Sequence, residues 1–162
     1  MKRRNSPEAI NQFVALPALA LVGLSQSGRK FGNLACRELR AKGYRVYPIH
    51  PLAGTIEGVR CYRTFADLPE RVDALLVVVT PESAIDAVRD AAAAGIHHVW
   101  LQQGAESPEL LSLCDSLGLT VVSGECILMF TRPKGVHNVH RWLRSVFGRL
   151  PRTPPAPDMH AS

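Results

Sequence analysis

The stretch Ala18 to Pro51, ALALVGLSQSGRKFGNLACRELRAKGYRVYPIHP, decides the fold. Ala18 to Val22 is an unbroken apolar run, the pattern of a strand covered on both faces. Gly23 to Gly32 reads as a glycine- and serine-bearing turn. A helix is expected from about Asn33 to Lys42, with Leu34, Ala35 and Leu39 as its buried stripe and Gly43 as its stop. Tyr44 to Ile49 is the second strand. Strand, turn, helix and strand in this order make a unit that grips a phosphate at a helix N-terminus. A dinucleotide site of the usual kind ends its second strand on Asp or Glu for a ribose hydroxyl, whereas this one ends Ile49-His50-Pro51. The expected ligand is therefore a nucleotide, and not an ordinary NAD.

The same grammar repeats outward. Asp73 to Val79 is β-branched and unbroken, as in a parallel sheet with helices on both sides. Thr80-Pro81-Glu82 opens a helix to Ala94, with the Thr80 hydroxyl expected as its cap. Val99 to Leu101 is the next strand, Ser107-Pro108-Glu109 opens a helix through Leu117, and Leu119 to Val122 is the last strand. Val59 to Tyr62 reads as a short additional strand and Phe65 to Leu68 as a helical turn. Ahead of all this, Pro7 to Leu16 reads as a short helix capped by Ser6, with Ile10, Phe13 and Val14 on one face. The fold class is α/β: a doubly wound, mainly parallel sheet of five to six strands in a three-layer sandwich with right-handed crossovers.

With 162 residues, 46% of them hydrophobic, the chain has enough apolar surface for one core. Residues 1–131 are expected to form the domain, 132–150 a basic amphipathic helix packed on it or on a second copy of the chain, and the proline-rich 151–162 a disordered tail. The net charge of +5 is concentrated at the ends: Met1 to Arg4 and Arg132 to Ser162 hold nine of the 19 Lys and Arg and one acid, Asp158. That distribution argues against a nucleic-acid groove built into the fold. No run is long enough to span a bilayer and the start lacks the apolar core of a signal peptide, so a cytoplasmic location is expected. Cys36, Cys61, Cys114 and Cys126 show no C-x-x-C pair, which implies reduced thiols rather than a disulfide framework or metal site. His137 and His140, at i and i+3 on the basic helix, read as a solvated face.

In an open α/β sheet the ligand sits beyond the carboxyl ends of the strands. The candidates there are Gly23, Ser25, Gln26, Ser27, Lys30 and Asn33 after the first strand, His50 and Pro51 after the second, then Thr80 and Pro81, Gln102 and Gly104, and finally Cys126. Ser25 replaces the middle glycine of G-x-G-x-x-G, and Ser27 breaks the G-x-S-x-G of a nucleophile elbow, which sets a hydrolase aside.

Three segments in succession carry a resemblance. They are LVGLSQSGRKFGNLACRELRAKGYRVYPIHP, IEGVRCYRTFADLPERVDALLVVVTPE and GIHHVWLQQGAESPELLSLCDSLGLTVVSGECILMF. Together they resemble the small bacterial coenzyme A-binding proteins, which are related to the CoA-ligating module of succinyl-CoA synthetase α-subunits. The resemblance implies a Rossmann-like domain that binds coenzyme A or an acyl-CoA and performs no reaction of its own. It implies that Gly23, Ser25 and Lys30 hold phosphates, that His50 and Pro51 flank the adenosine, and that Thr80, Pro81 and Gln102 line the pantetheine side. His50 stands where the family usually has Asn.

An imidazole tolerates the additional phosphate of coenzyme A, or the 2′-phosphate of NADP, where an acid would repel either. An NADP-dependent oxidoreductase fragment therefore remains the alternative enzyme reading. A partner-binding module acting through the basic C-terminal helix is the alternative of another class. Cys126, on the turn after the last strand, is a candidate for a reversible disulfide with the coenzyme A thiol.

Overall fold

The computed structural model describes residues 5–52 and 54–131. The basic helix expected over 132–150, with His137 and His140, and the tail over 151–162 lie outside the described residues.

Helix α1 (Pro7–Ala15) leads into strand β1 (Ala18–Val22), helix α2 (Phe31–Ala41) and strand β2 (Arg45–Ile49). A hairpin of β3 (Gly54–Ile56) and β4 (Val59–Cys61) follows, then β5 (Ala74–Val77), α3 (Pro81–Ala93), β6 (His98–Gln102), α4 (Pro108–Ser116) and β7 (Thr120–Glu125). Short 3-10 turns occupy Phe65–Asp67 and Ile127–Met129.

Five strands form one wholly parallel sheet in the order β2-β1-β5-β6-β7. This is the doubly wound, Rossmann-like architecture. Parallel strands need long crossovers, and the helices that supply them cover both faces. On one face α1 and α2 bury Phe13, Ala35, Cys36 and Leu39 against Leu19, Leu21, Leu76 and Trp100. On the other, α3 and α4 bury Ala84, Val88, Ala91, Leu110 and Cys114 against Ala20, Leu75, Val77, Val99 and Leu101. The two central strands are accordingly buried along nearly their whole length. Pro48, which cannot donate to a ladder, is tolerated because β2 is the edge strand. Tyr62 completes that edge, donating its N–H to Pro48 O and accepting from His50 N, both at 2.8 Å.

Two readings need correction, the start of α2 and the Thr80 cap. Helix α2 begins at Phe31, two residues before the expected start, and Leu34 stands outside its buried face at 40% exposure while Ala35 and Leu39 lie in the core. The short strand expected from Val59 is present as Val59–Cys61, and it forms an antiparallel hairpin with Gly54–Ile56 beside the main sheet. The Thr80 hydroxyl caps no backbone amide and donates instead to Ser83 Oγ at 3.3 Å. The two serine caps are present: Ser6 accepts from Ala9 N and Ser107 from Leu110 N.

Candidate nucleotide site

In this strand order the direction of winding reverses between β1 and β5, and the crevice beyond their carboxyl ends is where such sheets take ligands. A cleft of about 450 Å³ opens there, lined by Gly23, Leu24, Lys30, Val78, Val79, Thr80, Ser83 and Gln102 to Ala105.

Glycines set the backbone of its near wall. At Gly23 φ is +132°, and a Cβ would stand 2.5 Å from Val78 O, so β1 and β5 can close on each other only without a side chain. A Cβ on Gly32 would collide with Gly23 O, so the first turn of α2 lies directly on the loop leaving β1. The close helix–strand approach that a third fingerprint glycine provides in G-x-G-x-x-G is thus provided by Gly32, which the motif reading passed over.

Ser25 to Gly28 forms a hydrogen-bonded turn, Gly28 N donating to Ser25 O at 3.1 Å. The hydroxyls of Ser25 and Ser27 lie 3.0 Å apart, and Ser27 N reaches Ser25 Oγ at 3.3 Å. Gln26 and Ser27 are exposed at the tip. Asn33 is fully buried beneath the turn: its Oδ1 accepts from Ser25 N at 3.0 Å and its Nδ2 donates to Ser25 O at 2.8 Å. Its own N–H is spent on Lys30 O. Asn33 therefore shapes the turn from below, and the open end of α2 begins two residues earlier, at Phe31 and Gly32. Lys30 is the N-cap there and makes no side-chain cap bond.

The far wall is built from β5 and β6. Gln102 is 7% exposed, and its Oε1 accepts from Ile127 N at 3.1 Å, which pins the turn after β7. Gly104 is held by Glu106, whose carboxylate accepts from its N–H at 2.8 Å. Trp100 braces the same corner. Its indole N–H donates to Glu125 O at 3.0 Å, and Phe13 and Phe130 pack against its ring.

The structure thus brings Gly23, Lys30, Thr80, Gln102 and Gly104 into one cleft, with Ser25, Gln26 and Ser27 on the adjoining turn. His50 and Pro51 follow β2, on the outer side of β1. His50 Nδ1 accepts from Leu52 N at 3.2 Å, leaving the proton of a neutral ring on Nε2. Pro81 opens α3 and lines a smaller hollow between the starts of α3 and α4. Cys126 is half-buried at the head of the last 3-10 turn and is not among the residues lining the main cleft. Cys36, Cys61 and Cys114 are buried. Burial pushes the Cys36 thiol up to about 11 and raises that of Cys61 as well. Ser83 and Ala105 were not singled out in the sequence, although they flank residues that were. Among the described residues no His, Cys, Asp and Glu cluster can hold a metal ion, and no helix is long and apolar enough to cross a membrane.

Residues 18–132 match the family described as CoA binding domain. The chain belongs to that family. It is similar to a conserved hypothetical protein from Pyrococcus furiosus, with 37% identity, a TM-score of 0.64, and 68% of this chain and 96% of that one covered. Over 140 residues it is 22% identical to the acetate–CoA ligase (ADP-forming) II subunit alpha of P. furiosus, covering 80% of this chain and 29% of that protein. It also matches the dinucleotide-forming acetyl-coenzyme A synthetase 1 of Ca. Korarchaeum cryptofilum, solved with phosphate and ADP, at 29% identity and a TM-score of 0.60, covering 74% of this chain and 27% of that one. This CoA-binding domain therefore spans less than a third of the length of both enzymes, and it covers nearly all of the small hypothetical protein.

Proposed function

We propose that this chain binds coenzyme A or an acyl-CoA across the carboxyl edge of its sheet and performs no reaction by itself. The observation that carries the reading is the cleft at the β1–β5 reversal, with an uncapped helix start and Lys30 on one wall and polar groups on the other. Free N–H groups at the start of α2, the hydroxyls of Ser25 and Ser27, and the Lys30 ammonium suit a diphosphate. Gln26 lies at the tip of the same turn. His50 and Pro51 take the adenosine side, where the His50 Nε2–H can donate to a phosphate. Thr80, Gln102 and Gly104 line the side of the cleft taken by the thiol-bearing arm, and Pro81 borders the smaller hollow next to it. The reading places the chain in the cytoplasm, where its four free cysteines stay reduced.

Cys126 is the one cysteine of the four that is not buried, and this supports a reversible disulfide with coenzyme A. In that step the Cys126 thiolate attacks a coenzyme A disulfide, and one coenzyme A thiolate leaves. Treatment with coenzyme A disulfide should give a single mass adduct that Cys126→Ser abolishes, and no adduct would dispose of the idea.

Calorimetric titration of the full chain with coenzyme A, acetyl-CoA, ADP, NAD and NADP tests the main reading. Coenzyme A should bind at least about tenfold more tightly than ADP or NAD. Tighter binding of NADP than of coenzyme A would reverse the assignment in favour of an oxidoreductase fragment.

A further inference from the structure

Glu57 lies at the tip of the β3–β4 hairpin, 29 residues beyond Gly28 in the chain, yet it reaches the phosphate turn. Arg37 Nη1 donates to both of its carboxylate oxygens, at 2.9 and 3.0 Å. Asn33 Nδ2 donates to its Oε2 at 3.1 Å. Its Oε1 packs so closely on Gly28 that a Cβ there would stand 2.9 Å away. Glu57 is also the one non-glycine with a positive φ, +51°, among the described residues. A left-handed glutamate is unfavourable and persists where surrounding contacts hold it.

The consequence runs through the Asn33 amide. A carboxylate only accepts, so it requires the NH₂ of Asn33 to face it. The same orientation presents Nδ2 to Ser25 O and Oδ1 to Ser25 N–H. A flipped amide would set Oδ1 against the carboxylate and NH₂ against the Ser25 N–H. Glu57 thereby fixes which way a fully buried amide grips both backbone groups of Ser25, and Arg37 supplies the charge that lets the carboxylate sit there. An exposed ion pair by itself contributes little to stability. Here the pair is joined to a buried group that shapes the turn.

We propose that Glu57 is a positioning residue for the phosphate turn: without touching the ligand, it sets the Ser25–Gly28 backbone through Asn33, with Arg37 as its counter-charge. The proposal rests on the coenzyme A reading of the cleft.

Full-length Glu57→Gln, Arg37→Met and the double variant are titrated with coenzyme A and with ADP, and amide exchange at residues 25–28 is followed without ligand. Each single change should weaken both ligands alike, by about five- to tenfold, and the double variant should be no worse than the poorer single one. Exchange at Ser25 to Gly28 should quicken in both. Should Glu57→Gln fold poorly, Glu57→Gly relieves the left-handed backbone and removes the same carboxylate, with the same expected loss of affinity. Affinities within about twofold of the parent, or a lowered melting temperature with unchanged Kd, overturn the proposal. Tighter binding on loss of Glu57 overturns it too, because the carboxylate would then be competing with the ligand for Arg37. Failure of the parent chain to bind coenzyme A sinks the functional reading, whereas a binding parent with indifferent variants sinks the positioning role alone.

Discussion

Helices α1 and α4 begin on serines whose side chains accept from the third amide onward, Ala9 and Leu110, while α2 and α3 begin on Lys30 and Thr80 with no side-chain cap bond at all. The first pair are finished locally, in the way a helix start is normally satisfied. The second pair flank the cleft. A cap oxygen at the start of α2 would occupy the amides that a phosphate oxygen is proposed to take. Stability of α2 must then come from elsewhere, and it does: Gly32 lets its first turn rest on the β1 loop, Asn33 ties it to Ser25, and Ala35, Cys36 and Leu39 are buried beneath it.

The largest test of that division is Gly32→Ala. The new methyl has no space against Gly23 O, and the obstacle is backbone on both sides, so relief requires moving α2 off β1. We expect a loss of about 3 kcal/mol or more in urea unfolding, together with loss of coenzyme A binding. Alanine at Gly104 faces open space on its Cβ side and should cost less, the strain of its φ of +92° alone. Equal losses at the two positions would show that α2 does not depend on this approach.

A second test charges the face on which α2 stands. Desolvation holds the Cys36 thiol protonated up to about 11 against an ordinary 9.0, only partly offset by the nearby Arg40 charge. The folded state therefore keeps its proton while the unfolded chain loses one. The contribution is complete below pH 9.0 and disappears as pH rises through about 11. Unfolding free energy should fall across that window by on the order of 3 kcal/mol, from about 1.4 kcal/mol per pK unit over about two units. Cys36→Ala, measured beside the parent, should flatten the alkaline slope although its stability at neutral pH is lower.

Legibility in the sequence divides along the same line. The capped helices were readable from Ser6-Pro7-Glu8 and Ser107-Pro108-Glu109, and the buried strands from unbroken runs such as Ala74 to Val77, because these signals are local. Gly23, Lys30 and Thr80 were readable as residues following strands. The start of α2 was misplaced because nothing local announces an uncapped helix, and Leu34 was misread as buried because it lies about 140° around the helix from Leu39, outside the face of Ala35, Cys36 and Leu39. The hairpin escaped because its two-residue turn is Glu57-Gly58, both with positive φ, where Asn-Gly or Asp-Gly would have signalled it. Gly32 and Glu57 draw their roles from Gly23, Asn33 and Arg37, partners that only the folded chain brings near.

The two caps can also be separated from the two open starts directly. Ser107→Ala removes a hydrogen bond of 3.1 Å to Leu110 N and should cost about 1 kcal/mol, with the Kd for coenzyme A unchanged. Lys30→Ser places a cap oxygen where none exists. It should leave stability equal or a few tenths of a kcal/mol higher, yet weaken coenzyme A several-fold, because it both fills the amides and removes a cation. Stronger stability with intact affinity would refute the view that the amides of α2 serve the ligand.

The smallest change falls on Thr80, and it discriminates best because stability is expected to stay nearly silent. Among the described residues its hydroxyl bonds only to Ser83 Oγ, an exposed pair on the cleft wall, so Thr80→Ala gives up no cap and should shift unfolding by less than about 0.5 kcal/mol. The same hydroxyl lines the cleft on the side assigned to the thiol-bearing arm. Coenzyme A should therefore weaken by a few-fold while ADP, which lacks that arm, keeps its affinity. A parallel loss for both ligands would move Thr80 from the arm to the phosphates, and with it the direction in which the ligand lies across β1 and β5.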